Sequence, residues 1–231
     1  MNLLTDVKDF FFPRTCIGCG KRLGKYEQDL CISCLLDLPY TRLLKSTGNA
    51  MERLFWGHFP IERASALFYY AKMSTVAHIL HDMKYHGQRR LCIRMGEMMG
   101  HELLPSGFFD DIDHLIPVPL HPARLRNRGY NQCELLAEGI SRVTDLPVVK
   151  DAIYRLRNNT TQTSKTVRER IENVASLFAL HPEQIPSLKN RHVLLIDDVM
   201  TTGATLTACA HALCRIEGIR ISIATLAWSK H

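Results

Sequence analysis

The sequence contains no apolar run long enough to cross a bilayer. A membrane-spanning helix needs about 20 mostly apolar residues in succession, and no stretch of these 231 residues approaches that length. A secretory signal is also lacking, because residues 1–12 carry two aspartates, no basic first segment and no small-residue cleavage site. We therefore expect a cytoplasmic protein that does not insert into membranes.

Several other features are missing. The chain has no internal repeat and no low-complexity tract, and its composition does not indicate bulk disorder. It has no strand studded with aromatic residues and no recognition helix, which argues against a dedicated nucleic-acid-binding domain. The amino terminus offers no cysteine that could serve as a glutaminase nucleophile, so the sequence does not favour a self-contained amide-transferring enzyme.

The composition is that of a folded protein with a mildly basic surface. Apolar residues make up 46% of the chain and charged residues 23%, which is enough to build a core. The length permits one large domain, or one medium domain with a small appendage. A net charge of +6 suits anionic partners such as phosphates, pyrophosphate or nucleic acid, and it is equally compatible with an ordinary basic surface.

Eight cysteines fall into two sets. Cys16, Cys19, Cys31 and Cys34 form two C-x-x-C pairs, a spacing at which four thiolates can enclose one structural Zn²⁺ in a closed tetrahedral shell. So short a region cannot fold unaided, and the metal would supply its folding energy. The alternatives are two disulfides or a redox pair. Disulfides suit an oxidising compartment rather than the cytoplasm. The second set is expected to pack as small hydrophobic residues: Cys92, Cys133, Cys209 and Cys214.

Strand-like apolar runs alternate with helical patterns through the rest of the chain. This alternation predicts an α/β protein with a parallel sheet flanked by helices. Strands are predicted at 64–70, 114–119, 193–196 and 219–226, and helices at 75–85, 91–104, 131–143 and 205–217. We expect a small four-cysteine zinc ribbon at 1–45 and the α/β domain at 46–231.

Two adjacent acids follow the apolar strand at 193–196. At the carboxyl end of a parallel strand, Asp197 and Asp198 would lie in the ligand crevice, and they repel each other unless they bind something cationic or polar. The next residues turn into a helix and can form an anion cradle: Thr201, Thr202, Gly203, Ala204 and Thr205. Carboxylates that accept hydrogen bonds from hydroxyl groups, next to a turn that can bind a phosphate, suit a ribose 5-phosphate. A strand, an acidic turn and a threonine-capped helix would be the plain structural alternative.

A second segment is rich in arginine. Arg124, Arg126 and Arg128 alternate between a proline and a glycine that keep the segment from forming a long helix, and guanidinium groups suit pyrophosphate oxygens. The residues that follow offer a stacking ring and amide hydrogen bonds: Tyr130, Asn131 and Gln132. Farther along, polar residues 160–166 could form a mobile hood over a ligand. A solvated basic loop and an ordinary surface linker are the alternatives for these two segments.

Segment 193–205 resembles the phosphoribosyl pyrophosphate signature of type I phosphoribosyltransferases: four apolar, two acidic and two apolar residues, then Thr-Thr-Gly-x-Thr. With its other motifs the chain resembles the ComF family, late-competence proteins in which a cysteine knuckle region precedes a phosphoribosyltransferase domain. The resemblance covers nearly the whole chain in the family's order: the four cysteines, 84–87, 117–119, 128–132, Gln162 and Thr163 with Arg170 and Asn173, and 197–205.

The resemblance implies roles for particular residues. Asp197 and Asp198 would be the catalytic pair that holds the ribose, with Mg²⁺ bridging the ribose hydroxyls and the pyrophosphate. The implied substrate-binding residues are Lys84, Tyr85, His86, Gly87, Arg128, Gln132, Thr201, Thr202, Gly203, Ala204 and Thr205. Of these, residues 84–87 would form the pyrophosphate loop. Judged from the residues alone, that tetrapeptide is as readily a helix C-cap with Gly87 in the left-handed conformation.

Two functions remain open. The first is a phosphoribosyltransferase, in which a nucleophile displaces pyrophosphate from C1 of the ribose, with an acceptor that no segment identifies. The second is a non-catalytic accessory factor of DNA uptake, which would use the fold as a ligand sensor and contact single-stranded DNA or uptake-machinery proteins. The family's association with competence, the basic charge and the cysteine knuckles support the second.

Overall fold

The computed structural model describes residues 13–43, 48–156 and 177–230. The strands are β1 (Ala64–Tyr69), β2 (His114–Pro117), β3 (Ile153–Arg155), β4 (Phe178–Leu180), β5 (His192–Met200) and β6 (Arg220–Trp228). The helices are α1 (Ile32–Leu36), α2 (Ala50–Arg53), α3 (Thr75–Tyr85), α4 (Arg89–Leu103), α5 (Pro122–Arg128), α6 (Gln132–Thr144), α7 (Ile185–Leu188) and α8 (Ala204–Leu213). Across the described ranges, none of these helices has the length and apolar character needed to cross a membrane.

A four-stranded parallel sheet in the order β1-β6-β5-β2 forms the centre of the molecule. Successive residues of a strand point to opposite faces of a sheet, and both faces here are covered: Leu194 and Ile196 pack into one core, Val193 and Leu195 into the other. A sheet buried on both sides explains why these strands are continuous apolar runs in the sequence. The predicted α/β class is confirmed.

Helices α3, α4 and α6 cover one face of the sheet, and α2 and α8 lie against the other. Helices α4 and α6 cross at Gly96 and Gly139, whose Cα atoms face each other. A Cβ atom built on Gly139 would lie 2.7 Å from the backbone nitrogen of Glu97. Side chains are therefore excluded at this crossing, and the two backbones approach closely.

Some boundaries differ from the predicted ones. Strand β5 does not end at Ile196 but continues to Met200, because β6 still pairs with it beyond the point where β2 has ended at Pro117. The arginine segment forms the short helix α5, which begins at Pro122, a residue well suited to a first helical turn. The short antiparallel pair β3 and β4 was not predicted.

The four-cysteine region packs against the main body. Its buried Leu23, Leu30 and Leu38 belong to the same core as α3 and α4, and Arg94 of α4 forms an ion pair with Asp29. The chain then runs along the edge of β1, where the Tyr69 N–H donates to the Pro39 carbonyl at 2.8 Å. The division into 1–45 and 46–231 stays a prediction.

The second set of cysteines is only partly as expected. Cys92, Cys133 and Cys209 are buried, but Cys214 is exposed. It follows the last residue of α8, whose end reaches the surface. The prediction of a buried packing role was therefore wrong for Cys214.

Candidate functional site

The two acids lie near the carboxyl end of β5, with Asp198 the more deeply buried at 4% exposure. Asp198 Oδ2 lies 2.9 Å from Lys84 Nζ and accepts a hydrogen bond from Gln132 Nε2 at 3.0 Å. Gln132 in turn accepts a hydrogen bond from Arg128 through its Oε1. We call these four side chains the Asp198 network. It joins three predicted site segments that are far apart in the sequence.

Lys84 is a charged member of this network. Burial lowers the pKa of its amine, but the Asp198 carboxylate outweighs burial and raises it above the usual range. Lys84 lies in the last turn of α3, and Gly87 follows that helix with a φ of +64°. The tetrapeptide 84–87 is therefore a helix end, as the structural alternative had it, and it also delivers a cation to the acid pair.

Asp197 has different neighbours. Its Oδ1 accepts hydrogen bonds from Cys133 Sγ at 3.3 Å and from the Asp198 N–H at 2.9 Å. Burial and the adjacent Asp198 charge raise the pKa of Asp197 from 3.8 to about 7. Near neutral pH this carboxyl is therefore partly protonated. Cys133 is a site residue that the sequence interpretation placed in the core, although its position beside Gln132 was a signal.

The threonine-rich turn forms the start of α8. Gly203 is the N-cap residue with a φ of +79°, so Thr is not the N-cap that the structural alternative supposed, although Thr202 Oγ1 accepts a hydrogen bond from the Ala204 N–H at 3.4 Å. A small cavity of about 50 Å³ is lined by Asp197 and by the turn residues from Thr201 to Thr205. The N–H groups at the positive end of a ten-residue helix favour an anion.

A larger, basic cavity includes Lys84 in its lining. It has a volume of about 420 Å³ and is lined by Lys84, Tyr85, Gly87, Arg124, Asn127 and Arg128. None of these lining residues, within the described segments, is acidic. The Tyr85 ring is 68% exposed and the Arg128 guanidinium lies 5.9 Å from its centre. Of the predicted loop, His86 is not in the lining, because its Nδ1 contacts Asp82 Oδ1 at 2.8 Å.

Two residues of the arginine segment do not have the role predicted for them. Tyr130 is buried, and its hydroxyl donates to the Met83 carbonyl at 2.8 Å, so its ring cannot stack on a ligand. Asn131 caps α6 through the Cys133 N–H and donates to the Val118 carbonyl at 3.0 Å. Both fix the turn that places Gln132. The predicted hood at 160–166, with Arg170 and Asn173, lies outside the described residues.

The four amino-terminal cysteines come together as predicted. Their sulfur atoms lie within 4.8 Å of one another, and Cys19 Sγ is 3.7 Å from Cys31 Sγ. Zinc–sulfur bonds of about 2.3 Å in a tetrahedral site put the sulfur atoms about 3.8 Å apart. Burial raises the pKa of the Cys16 thiol, but the N–H groups of Cys31, Cys19 and Gly18 outweigh burial and lower it to about 6. This cluster could therefore hold a metal ion.

A third polar arrangement resembles a hydrolase triad but lies in the core. His192 Nε2 is 2.9 Å from Ser222 Oγ, and its Nδ1 is 3.3 Å from Asp111 Oδ2. Ser222 is 0% exposed and His192 1%, so no substrate can reach the hydroxyl. These contacts tie the starts of β5 and β6 to the loop before β2, at the end of the sheet opposite the acid pair.

Several known proteins are similar in sequence to this chain. A family model described as a phosphoribosyl transferase domain matches residues 131–231. Competence protein F of Haemophilus influenzae is 29% identical over 96% of this chain and 86% of its own length. The DNA utilization protein YhgH of Escherichia coli O157:H7 is 28% identical over 87% of this chain and 84% of its own. Competence protein ComFC of Bacillus subtilis is 34% identical over 43% of this chain and 37% of its own.

Proposed function

This chain belongs to the ComF family, and from that premise we propose that it binds 5-phosphoribosyl-1-pyrophosphate at the carboxyl end of its sheet. One observation carries the proposal. Asp197 lines the cavity at the α8 turn, and Asp198 pairs with Lys84, which lines the basic cavity, so the acid pair adjoins two cavities that suit anions. A ribose that carries a phosphate at one end and a pyrophosphate at the other matches that order of charges.

Each part of the ligand has a proposed partner. The 5-phosphate would accept hydrogen bonds from the turn 201–205 and the first N–H groups of α8. The ribose hydroxyls would donate to Asp197 and Asp198. The pyrophosphate would contact Lys84, Arg124 and Arg128, whose charges suit its oxygens. Gly87 and Tyr85 would shape the rim of the same cavity.

The proposed reaction is the transfer of the phosphoribosyl group to an acceptor that remains to be identified. The bond from C1 to the pyrophosphate oxygen breaks as the acceptor bonds to C1, and positive charge develops on the ribose. The buried carboxylates would stabilise that charge, and the cations of the basic cavity would stabilise the leaving pyrophosphate. The acid pair presents oxygen atoms, the donors that Mg²⁺ prefers. Bound there, Mg²⁺ would neutralise pyrophosphate charge.

We also propose that the four-cysteine cluster holds a structural Zn²⁺ and that 1–45 is the unit it organises. Four sulfur ligands leave no position for a substrate, so the proposed role is in stability and docking. A cytoplasmic location fits free thiols at all eight cysteines of the described segments.

The ligand proposal is tested by calorimetric titration of the full chain with phosphoribosyl pyrophosphate and Mg²⁺. We expect the double variant Asp197→Ala/Asp198→Ala to bind at least about 100-fold more weakly, because both carboxyl groups that would accept from the ribose hydroxyls are lost. Asp113→Ala, which removes a carboxylate at the opposite end of β5, is the matched control. Equal affinity of the wild type and the double variant would show that the acid pair does not bind the ligand.

A second candidate function follows from the names of the relatives, which refer to competence and DNA utilization. Here the protein would be an accessory factor of DNA uptake, contacting single-stranded DNA or uptake-machinery proteins and sensing the same ligand without turnover. Pyrophosphate release with a panel of bases and amines separates the two functions. Release that depends on Asp197 and Asp198 supports the enzyme, whereas ligand binding without release by any acceptor supports the sensor.

A further inference from the structure

Lys84 forms an ion pair with Asp198 and also faces the basic cavity, where an anionic ligand could take the place of Asp198 as its partner. Its Nζ lies 2.9 Å from Asp198 Oδ2, and the same side chain lines the basic cavity. The pair is well shielded, with exposures of 23% for the Lys84 side chain and 6% for that of Asp198. Gln132 Nε2 donates to the same carboxylate oxygen at 3.0 Å, so Asp198 Oδ2 already has two donors.

We propose that Lys84 is a specificity-determining residue that leaves Asp198 only for a ligand carrying both a ribose diol and an anionic group on C1. This inference rests on the proposed function and concerns which phosphorylated riboses the site accepts. Lys84 would be held on Asp198 until a pyrophosphate in the basic cavity replaces that carboxylate as its partner.

Separating a buried ion pair has a free-energy cost. Removing one partner from such a pair leaves the other charge uncompensated in a poorly hydrated place. A ribose 5-phosphate can offer its hydroxyls to Asp198, but it has no anion to offer Lys84. Phosphoribosyl pyrophosphate offers both, so only this ligand restores a partner to each of the two charges.

The rest of the Asp198 network supports the exchange. Gln132 receives a hydrogen bond from Arg128 and is 4% exposed, so its amide is held in one orientation. It can keep donating to Asp198 when Lys84 moves, and the carboxylate stays in place. Because Lys84 lies in the last turn of α3 and already lines the basic cavity, its amine can turn further into the cavity without a change in the body of that helix.

The proposal is tested by measuring dissociation constants of the full chain for phosphoribosyl pyrophosphate and for ribose 5-phosphate, both with Mg²⁺. The variants are Lys84→Met, which keeps the unbranched side chain up to the position of Cε without the charged amine, and Arg124→Met, which removes another cation of the same cavity. Lys189→Met is the matched control. It breaks the exposed Lys189–Glu217 pair of 3.0 Å, which lies on the order of 20 Å away along β5.

We expect Lys84→Met to lower the affinity for phosphoribosyl pyrophosphate by at least about tenfold. It should raise the affinity for ribose 5-phosphate by at least about threefold, because ribose 5-phosphate no longer has to displace a cation. Arg124→Met should lower the affinity for phosphoribosyl pyrophosphate only. If Lys84→Met weakens both ligands, or leaves ribose 5-phosphate unchanged, Lys84 is an ordinary contact and the inference is wrong while the proposed function stands. If the wild type binds neither ligand, the proposed function fails together with the inference.

A crystal structure of the wild-type complex gives a second route that does not depend on the folding of a variant. Lys84 Nζ more than about 4 Å from Asp198 Oδ2, the limit for an ion pair, and close to the pyrophosphate would support the exchange. An unbroken pair beside a bound pyrophosphate would overturn it.

Discussion

Replacing Asp197 with asparagine should stabilise the fold while removing a proposed ligand contact. Burial and the neighbouring Asp198 charge raise the pKa of the Asp197 carboxyl from 3.8 to about 7. Between these two values the folded protein retains a proton that the unfolded chain has released, so the free energy of unfolding falls as the pH rises through this window. Above pH 7 the whole cost of the buried negative charge is present.

The size of the effect follows from the same shift. A rise from 3.8 to about 7 is about three pKa units at about 1.4 kcal/mol each, which gives an upper limit of about 4 kcal/mol at pH 8. Asparagine carries no charge, and its Oδ1 can still accept from Cys133 Sγ and from the Asp198 N–H. We expect a gain of about 2 kcal/mol, since part of the burial cost remains. For a chain of this size that gain raises Tm by about 4–8 °C.

Thermal melts of the wild type and Asp197→Asn at pH 5 and pH 8 measure this difference. The difference in Tm between Asp197→Asn and the wild type should be large at pH 8. It should be smaller at pH 5, where the wild-type Asp197 carboxyl is already protonated. Asp113→Asn is the control of opposite sign. Burial raises the pKa of Asp113, but the His192 N–H and Arg191 outweigh burial and lower it, so this variant should lose stability at pH 8. An Asp197→Asn protein that melts below the wild type at pH 8 would refute the reasoning.

Two further predictions concern the framework around the site. Gly139→Ala should cost at least about 3 kcal/mol in chemical denaturation, because its Cβ would meet the Ile93 and Glu97 backbone. Gly100→Ala should cost less, because the atoms nearest to its Cβ belong to the Val143 side chain; equal costs would contradict the backbone explanation. Chelation of zinc, or Cys19→Ser, should remove about one metal ion per chain by elemental analysis and lower the unfolding midpoint, while Cys214→Ser at the exposed end of α8 should change neither. A full metal content in Cys19→Ser would count against the four-cysteine site.

The fold could be predicted from the sequence where one periodicity dominates. Helix α3 lies at 75–85 as predicted, since its apolar residues recur at helical spacing and Ser74 caps its start. The predicted end of β5 was wrong because pairing depends on a neighbour that is distant in the sequence: Asp197, Val199 and Met200 remain in the strand only through β6. No local pattern reports such a partner.

The candidate site was likewise predictable only where its residues are close together in the sequence. The acid pair, the threonine turn and the four cysteines could be predicted because each is a contiguous motif whose chemistry lies within a few residues. The contacts of Lys84, Gln132 and Cys133 with the two acids could not be predicted, because they join three elements of the fold. Tyr130 was misjudged since an aromatic ring beside arginines suits a ligand and a core equally well, and only its hydrogen bond to Met83 decides between them.

Helix α3 links the four-cysteine region to the acid pair. At its first turn, Gly18 of the first knuckle packs so closely on Thr75 that a Cβ atom there would lie 2.9 Å from Thr75 Cγ2, and His78 Nδ1 lies 3.3 Å from the Gly18 carbonyl oxygen. At its last turn, Lys84 pairs with Asp198. A rigid helix transmits a displacement from one end to the other more readily than a loop does. Loss of the proposed Zn²⁺ should therefore weaken phosphoribosyl pyrophosphate binding as well as stability, which calorimetric titration of the Cys19→Ser variant measures.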